Sequence, residues 1–202
     1  MVIFARMMHA PALASLACLL LACASTPAQE EAPSPPQAPP PEAPSTTEPP
    51  GFEDPGPHPG TGLSRIRFPV AGETFTFEIA DDAWERGRGM SGRARIPANE
   101  GMIFVYPKPE ILGYWMKGCL TDIDIVYVRG DGRIMSMHRM KKEPPRGGEE
   151  RLETYEDRLP RYSSRRLVQF ALEFAPGTID RLGLETGQLI KVPRAALLKN
   201  AR

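Results

Sequence analysis

Side chains that usually carry catalysis are scarce in this 202-residue chain, which has three cysteines and three histidines. Cys18 and Cys23 lie close to the N-terminus, so a chain acylated at Cys23 keeps Cys119 as its remaining thiol and forms no intramolecular disulfide. His138 is the one histidine after Leu63, and no nucleophile-base signature accompanies it. Charge of one sign is also missing overall, because 25 basic residues balance 25 acidic ones. The balance is uneven along the chain: residues 24–62 hold six acidic and no basic residues, and residues 63–202 hold 24 basic against 19 acidic. That mild cationic excess favours an anionic ligand, lipid headgroup or acidic glycan, and falls short of the basic footprint of a nucleic-acid binder.

No apolar run is long enough to cross a bilayer comfortably. The run from Ala12 to Ala22, preceded by Arg6, reads as a cleaved secretory signal. It ends Leu20-Leu21-Ala22-Cys23, which resembles a bacterial lipoprotein signal and implies lipidation of Cys23. Cys18 is a weaker candidate. Residues 1–22 are therefore expected as signal and residues 23–62 as an extended tether, since Ser25 to Gly62 carries 13 of the 23 prolines and almost no bulky apolar residue. His58 falls in that tether and is expected to be solvated.

The folded domain is expected over residues 63–202. Ile66 to Phe68 and the alternating Thr74 to Ile79 predict a hairpin around Ala71-Gly72. Asp81-Asp82 predicts an N-cap for a short helix rich in glycine and arginine, with Arg86, Arg88, Arg93 and Arg95 close together. Gly101 to Tyr106 reads as a buried strand ending at Pro107-Lys108-Pro109. Ile123 to Val128 reads as another, joined through Gly130-Asp131-Gly132 to Arg133 to Met140. In that strand Met135 and Met137 are expected on one face and His138 and Met140 on the other, which argues for methionines filling a core.

Lys141 to Ser164 lacks apolar periodicity and reads as a long binding loop or lid, with Arg158, Arg161, Arg165 and Arg166 near its end. Val168 to Phe174 is a strand whose Glu173 is expected to face away from the core. Thr178 is expected to cap a short helix, Leu189 to Val192 to form a last strand, and Pro193 to open a terminal helical turn. The pattern is that of an α+β, compact, β-rich single domain, barrel-like or with a strongly curved mixed sheet, and two or three short helices.

Leu112 to Val128 concentrates the candidate chemistry: Trp115, Lys117, Cys119, Asp122 and Asp124. Asp122 and Asp124 are two residues apart on an extended segment and are expected to project to one side, where carboxylates need partners. Cys119 reads first as a small buried hydrophobe, with a reactive thiol beside Lys117 as the functional alternative.

Five boxes in order resemble the domain-of-unknown-function 192 family: Arg86-Gly87-Arg88-Gly89-Met90-Ser91-Gly92-Arg93, Gly101-Met102-Ile103-Phe104, Trp115-Met116-Lys117-Gly118-Cys119, Ile123-Asp124-Ile125, and Leu172-Glu173 with Gly177 and Gly187-Gln188. The likeness covers Phe75 to Val192. Against that family's pattern Ser91-Gly92 replaces a Met-aromatic pair, Gly118-Cys119 replaces Asn-Thr, Asp122 replaces proline and Gln188 replaces aspartate. The resemblance implies a compact β-rich domain with few helices and implies no particular reaction.

The residues together point to an exported lipoprotein, membrane-anchored in the bacterial periplasm or at the cell surface. Its domain is expected to bind an anionic ligand or an envelope protein non-catalytically through Arg88, Arg93, Trp115, Lys117, Asp122 and Asp124, with no cofactor, metal or nucleic acid. An enzyme using Asp122 and Asp124 or Cys119, and a structural or assembly protein of the envelope, are the alternatives from other classes.

Overall fold

Alternating apolar residues draw six strands into one mixed sheet, seen in a computed structural model that describes residues 52–202. The expected signal, Cys18, Cys23 and the tether up to residue 51 lie outside the described residues. Strands β1 (Arg65–Val70) and β2 (Glu73–Ala80) form the expected hairpin, and helix α1 (Ala83–Arg88) follows. Then come β3 (Glu100–Tyr114), β4 (Ile123–Val128), β5 (Ile134–Met140), helix α2 (Leu152–Arg158) and β6 (Tyr162–Phe174). Helices α3 (Thr178–Arg181) and α4 (Arg194–Leu198) follow, so the described residues hold four short helices where two or three were expected. The strand order is β1-β2-β3-β6-β4-β5, with β2 and β3 parallel and the other pairs antiparallel. This is a β-rich α+β fold.

Side chains alternate between two apolar layers, one on each face of the sheet. In β4, Ile123, Ile125 and Tyr127 enter a layer with Phe104, Tyr114, Trp115 and Met116. Val126 and Val128 enter the other, with Phe68, Phe75, Phe77, Phe170, Leu172 and Phe174. Edge-to-face and offset ring pairs, such as Phe75 with Phe174 and Phe68 with Phe77, knit the second layer.

Several local expectations hold and several do not. Asp82 caps α1 in a capping box, its side chain accepting from Glu85 N while Glu85 reaches back to Asp82 N. Strand β3 runs straight through Pro107-Lys108-Pro109 because the prolines sit in a bulge, where no ladder N–H is required. Met135 and Met137 pack against opposite layers, because a register shift near Tyr127–Val128 breaks the pleat of β5. Thr178 is the first residue of α3, not its cap, and donates to Ala175 O. Leu189 makes only an isolated bridge, to Arg133, where a strand was expected.

Among the described residues, hydrogen bonds to the sheet already occur at Glu53, ahead of the Leu63 start read from the sequence. Glu53 and Arg67 exchange two backbone hydrogen bonds, and Arg65 donates to Pro55 O and Gly56 O. His58 is a turn-former, its Nδ1 accepting from Gly60 N and Thr61 N. At the far edge of the sheet, Ile134 exchanges backbone hydrogen bonds with Gly187 and Gln188, and Ile190 donates to Gly132 O.

Gly101 of β3 pairs with Phe174 of β6. A Cβ there would lie 2.4 Å from the Glu173 carbonyl oxygen and 2.9 Å from the Phe77 ring. Neither partner can retreat, since one is backbone and the other is packed in the core. Gly101→Ala is expected to lower stability by ~1–3 kcal/mol or more, read as an earlier denaturant midpoint at unchanged slope.

Candidate functional site

A cleft of about 800 Å³ opens where the turn after β3 meets the segment before α2. Cys119, Leu120, Pro144, Pro145, Leu152 and Tyr155 give it an apolar lining, and Lys117, Lys142 and Arg146 bring positive charge to it against Glu143. Leu120 and Leu152 remain 53% and 49% exposed, an unusual state for leucines that share a concave surface.

Both walls are held in place. Gly118, in the left-handed region at φ 67°, turns the chain so that its carbonyl accepts from Gly92 N at 2.9 Å and Ser91 Oγ at 3.2 Å. A Cβ at that position would strike Ser91 Oγ at 2.6 Å. Lys117 Nζ pairs with Glu156 Oε1, tying the turn to α2. On the other wall Arg158 donates to Glu150 and to the carbonyls of Pro144 and Pro145, and stacks over the Tyr155 ring at 4.8 Å. The Lys141–Ser164 segment is therefore an ordered wall containing a helix, not a plain loop.

The six residues singled out in the sequence do not converge. Lys117 lines the cleft. Trp115 is buried beneath it, its ring covered by Arg161 at 3.6 Å and Lys117 at 5.5 Å. Arg88 is exposed and lies 5.5 Å over Trp84. Arg93 makes a bidentate pair with the buried Glu78 at 2.5 and 2.9 Å, and Thr61 Oγ1 donates to the same carboxylate at 2.5 Å. Burial pushes the Glu78 carboxyl up, but the Arg93 and Thr61 hydrogen bonds outweigh it and hold it below the usual range.

Asp122 and Asp124 serve different partners. Asp122 precedes β4 and accepts from Lys141 Nζ at 2.9 Å and Lys142 N at 2.8 Å; the Lys141 bond lowers its pKa first of all. Asp124 is buried on the opposite layer and accepts from Ile179 N at 2.8 Å, capping α3 from a distance. Burial leaves its carboxyl raised. His138 Nε2 is engaged by Ser163 O at 2.9 Å. The Cys119 thiol is buried at the cleft floor, and desolvation pushes it up to about 12, so at neutral pH it is a thiol and a poor nucleophile. Among the described residues, no three His, Cys, Asp or Glu side chains gather as a metal site would require.

The structure corrects the sequence reading of one buried acid. Glu173 was expected to face away from the core, yet it is fully buried and neither carboxyl oxygen has a hydrogen-bond partner. The cause is the position of β6 inside the sheet: with Phe170, Leu172 and Phe174 in one layer, the alternate residues must enter the other. Glu173 thus lies between Met102 of β3 and Ile125 of β4. Desolvation pushes its carboxyl to about 8. Its charge would in turn oppose ionisation of Cys119, Tyr106, Tyr114 and Tyr127. The signal available in the sequence was an acid in a strand of otherwise unbroken apolar residues.

The family model described as DUF192, uncharacterised ACR, matches residues 66–192. A crystal structure of a protein of unknown function from Novosphingobium aromaticivorans DSM 12444 has TM-score 0.56 at 23% identity, covering 66% of this chain and 89% of that one. A crystal structure of a proposed transcription regulator from Sinorhizobium meliloti 1021 has TM-score 0.49 at 26% identity, covering 62% and 89%. No curated protein matches.

Because Glu173 binds its proton more tightly folded than unfolded, its contribution is fully present below about 4.5 and is lost as pH rises towards about 8. Replacing Glu173 with Met removes the buried polar group and is expected to flatten the stability profile over that window. Denaturant titrations of both proteins across it provide the check, and parallel profiles would remove Glu173 as the cause.

Proposed function

The chain belongs to the domain-of-unknown-function 192 family, and on that footing we propose that its folded domain is a non-catalytic binding module whose cleft takes an anionic amphiphile. The observation that carries this reading is the pair of half-exposed leucines, Leu120 and Leu152, in an apolar cleft bordered by Lys117, Lys142 and Arg146. An apolar ligand body removes the leucines from water, and the cations meet its headgroup. Catalysis finds less support. The thiol at the floor is protonated, Asp122 and Asp124 are committed to separate hydrogen bonds, and His138 is engaged by a backbone carbonyl.

The module is further proposed to work in the bacterial envelope, exported and held to a membrane by a lipid on Cys23. Arg6, the apolar run from Ala12 to Ala22 and the cysteine that follows support this. Mass spectrometry of protein from a bacterial membrane fraction is expected to find an acylated chain beginning at Cys23, and Cys23→Ala to move the protein into the soluble fraction. An unmodified wild-type chain overturns the anchoring.

Binding is tested with sodium dodecanoate below its micelle concentration, beside dodecanol and acetate. At ~100 times Kd the fatty acid is expected to add about 2.7 kcal/mol and raise Tm by roughly 5–10 °C. Acetate should leave Tm unchanged, and Leu120→Glu with Leu152→Glu should abolish the rise. Equal shifts in the wild type and the double variant, or no shift in either, sink the proposed cleft.

A further inference from the structure

We propose that the surface around Ile111 and Leu167 is a docking face for an anionic lipid bilayer, separate from the cleft and not dependent on what the cleft binds. These residues are direct partners across β3 and β6, so their side chains share one face of the sheet, where they are 56% and 58% exposed. Single exposed aliphatics need no explanation, but an adjacent pair on a rigid central strand pair does.

The pair is bracketed by two bulges, one on each strand. Between the pairings Val105 with Phe170 and Glu110 with Val168, residues 106–109 of β3 stand opposite Gln169 alone. Gln169 Nε2 donates to Pro107 O at 3.3 Å and so fixes the loop that displays Lys108. Between Ile111 with Leu167 and Gly113 with Ser163, residues 164–166 of β6 stand opposite Leu112. Here Ser164 Oγ accepts from Leu112 N at 2.9 Å and donates to Arg166 O at 2.8 Å, and Ser163 Oγ accepts from Arg165 N at 3.1 Å. Arg165 is held at φ 56°, a conformation that costs a non-glycine residue free energy and persists only where the surroundings impose it. The outcome is a fixed backbone that places the exposed residues Lys108 on one side and Arg165 and Arg166 on the other side of the Ile111–Leu167 pair in the register, with the half-buried Glu110 as the adjoining acid.

That arrangement matches a membrane interface in both of its chemistries. Ile111 and Leu167 can enter the boundary between headgroups and acyl chains, while the long basic side chains reach back to lipid phosphates. Three cations beside two aliphatics favour a negatively charged bilayer over a neutral one, and over an apolar protein groove that would have to desolvate them.

The test uses the full chain with Cys18→Ser, Cys23→Ser and Leu167→Cys, labelled at position 167 with a polarity-sensitive fluorophore; the buried, protonated Cys119 is spared. Vesicles of equimolar phosphatidylglycerol and phosphatidylcholine are expected to shift the emission to the blue, pure phosphatidylcholine to leave it unchanged, and added salt to reverse the shift. Arg165→Gln and Arg166→Gln, added singly, are each expected to lower the partition coefficient by about fivefold. The probe reports position 167 itself, so bilayer contact made elsewhere on the chain does not mimic the result. No shift, an equal shift with neutral vesicles, or one indifferent to the arginine changes overturns the proposal. A blue-shifted emission without vesicles, with a dimer in light scattering, overturns it in favour of pairing between two copies of the chain.

Discussion

Strand β6 is bonded on both edges, to β3 along one and to β4 along the other, and nearly everything else follows from that position. A strand so placed has no solvent face over its inner half, so every side chain from Val168 to Phe174 is buried. Phe170, Leu172 and Phe174 hold one layer together, and their alternates build the other. The fold accepts the consequence of an acid in that second set by keeping it protonated, at the cost of a pH-dependent stability. It also has to admit the backbone of Glu173 against Gly101, which is why no side chain fits there.

Where the pleat of β6 and its neighbours is interrupted, the surface acquires its features. The two bulges between β3 and β6 expose residues that a regular ladder would bury or pair, and small polar groups, Gln169, Ser163 and Ser164, fix the irregular backbone. The cleft forms by the same economy. A left-handed glycine at 118 turns the chain, and a helix too short to be stable by itself is anchored by Lys117 to Glu156 and by Arg158 to the preceding carbonyls. Charged residues that look like a binding set in the sequence are here spent largely on architecture, as with Arg93 on Glu78 and Asp124 on α3.

Much of the fold was legible because it rests on period-two alternation and on turn residues: the β1–β2 and β4–β5 hairpins, the Asp82 cap and the strand character of Val168 to Phe174 were read correctly. The failures share a cause, which is that local patterns do not report register. Pro107-Lys108-Pro109 looks like a strand end until β6 supplies a partner beyond it, and Met135 and Met137 look like face-mates until a shift separates them. Glu173 is misplaced for the same reason, since only the neighbours on both sides of β6 decide where its side chain must go. At the site, the sequence indicated one wall through Lys117 and Cys119 and the other only as a long binding loop over Lys141 to Ser164, because Leu152 and Tyr155 acquire their places only when Arg158 and Glu150 order the segment around them.

The short pairings at the two ends of the sheet bear on how these molecules behave in a crowd. Strand β1 exchanges two hydrogen bonds with Glu53 at Arg67 and carries Pro69, which has no N–H to offer. On the other side, Gly187 and Gln188 occupy the amide and carbonyl of Ile134. Each outermost strand is thereby partly closed to a visiting strand. Copies concentrated on a surface would meet at edges already engaged, which disfavours the strand-by-strand accretion that turns a dense layer of β-rich domains into an insoluble one.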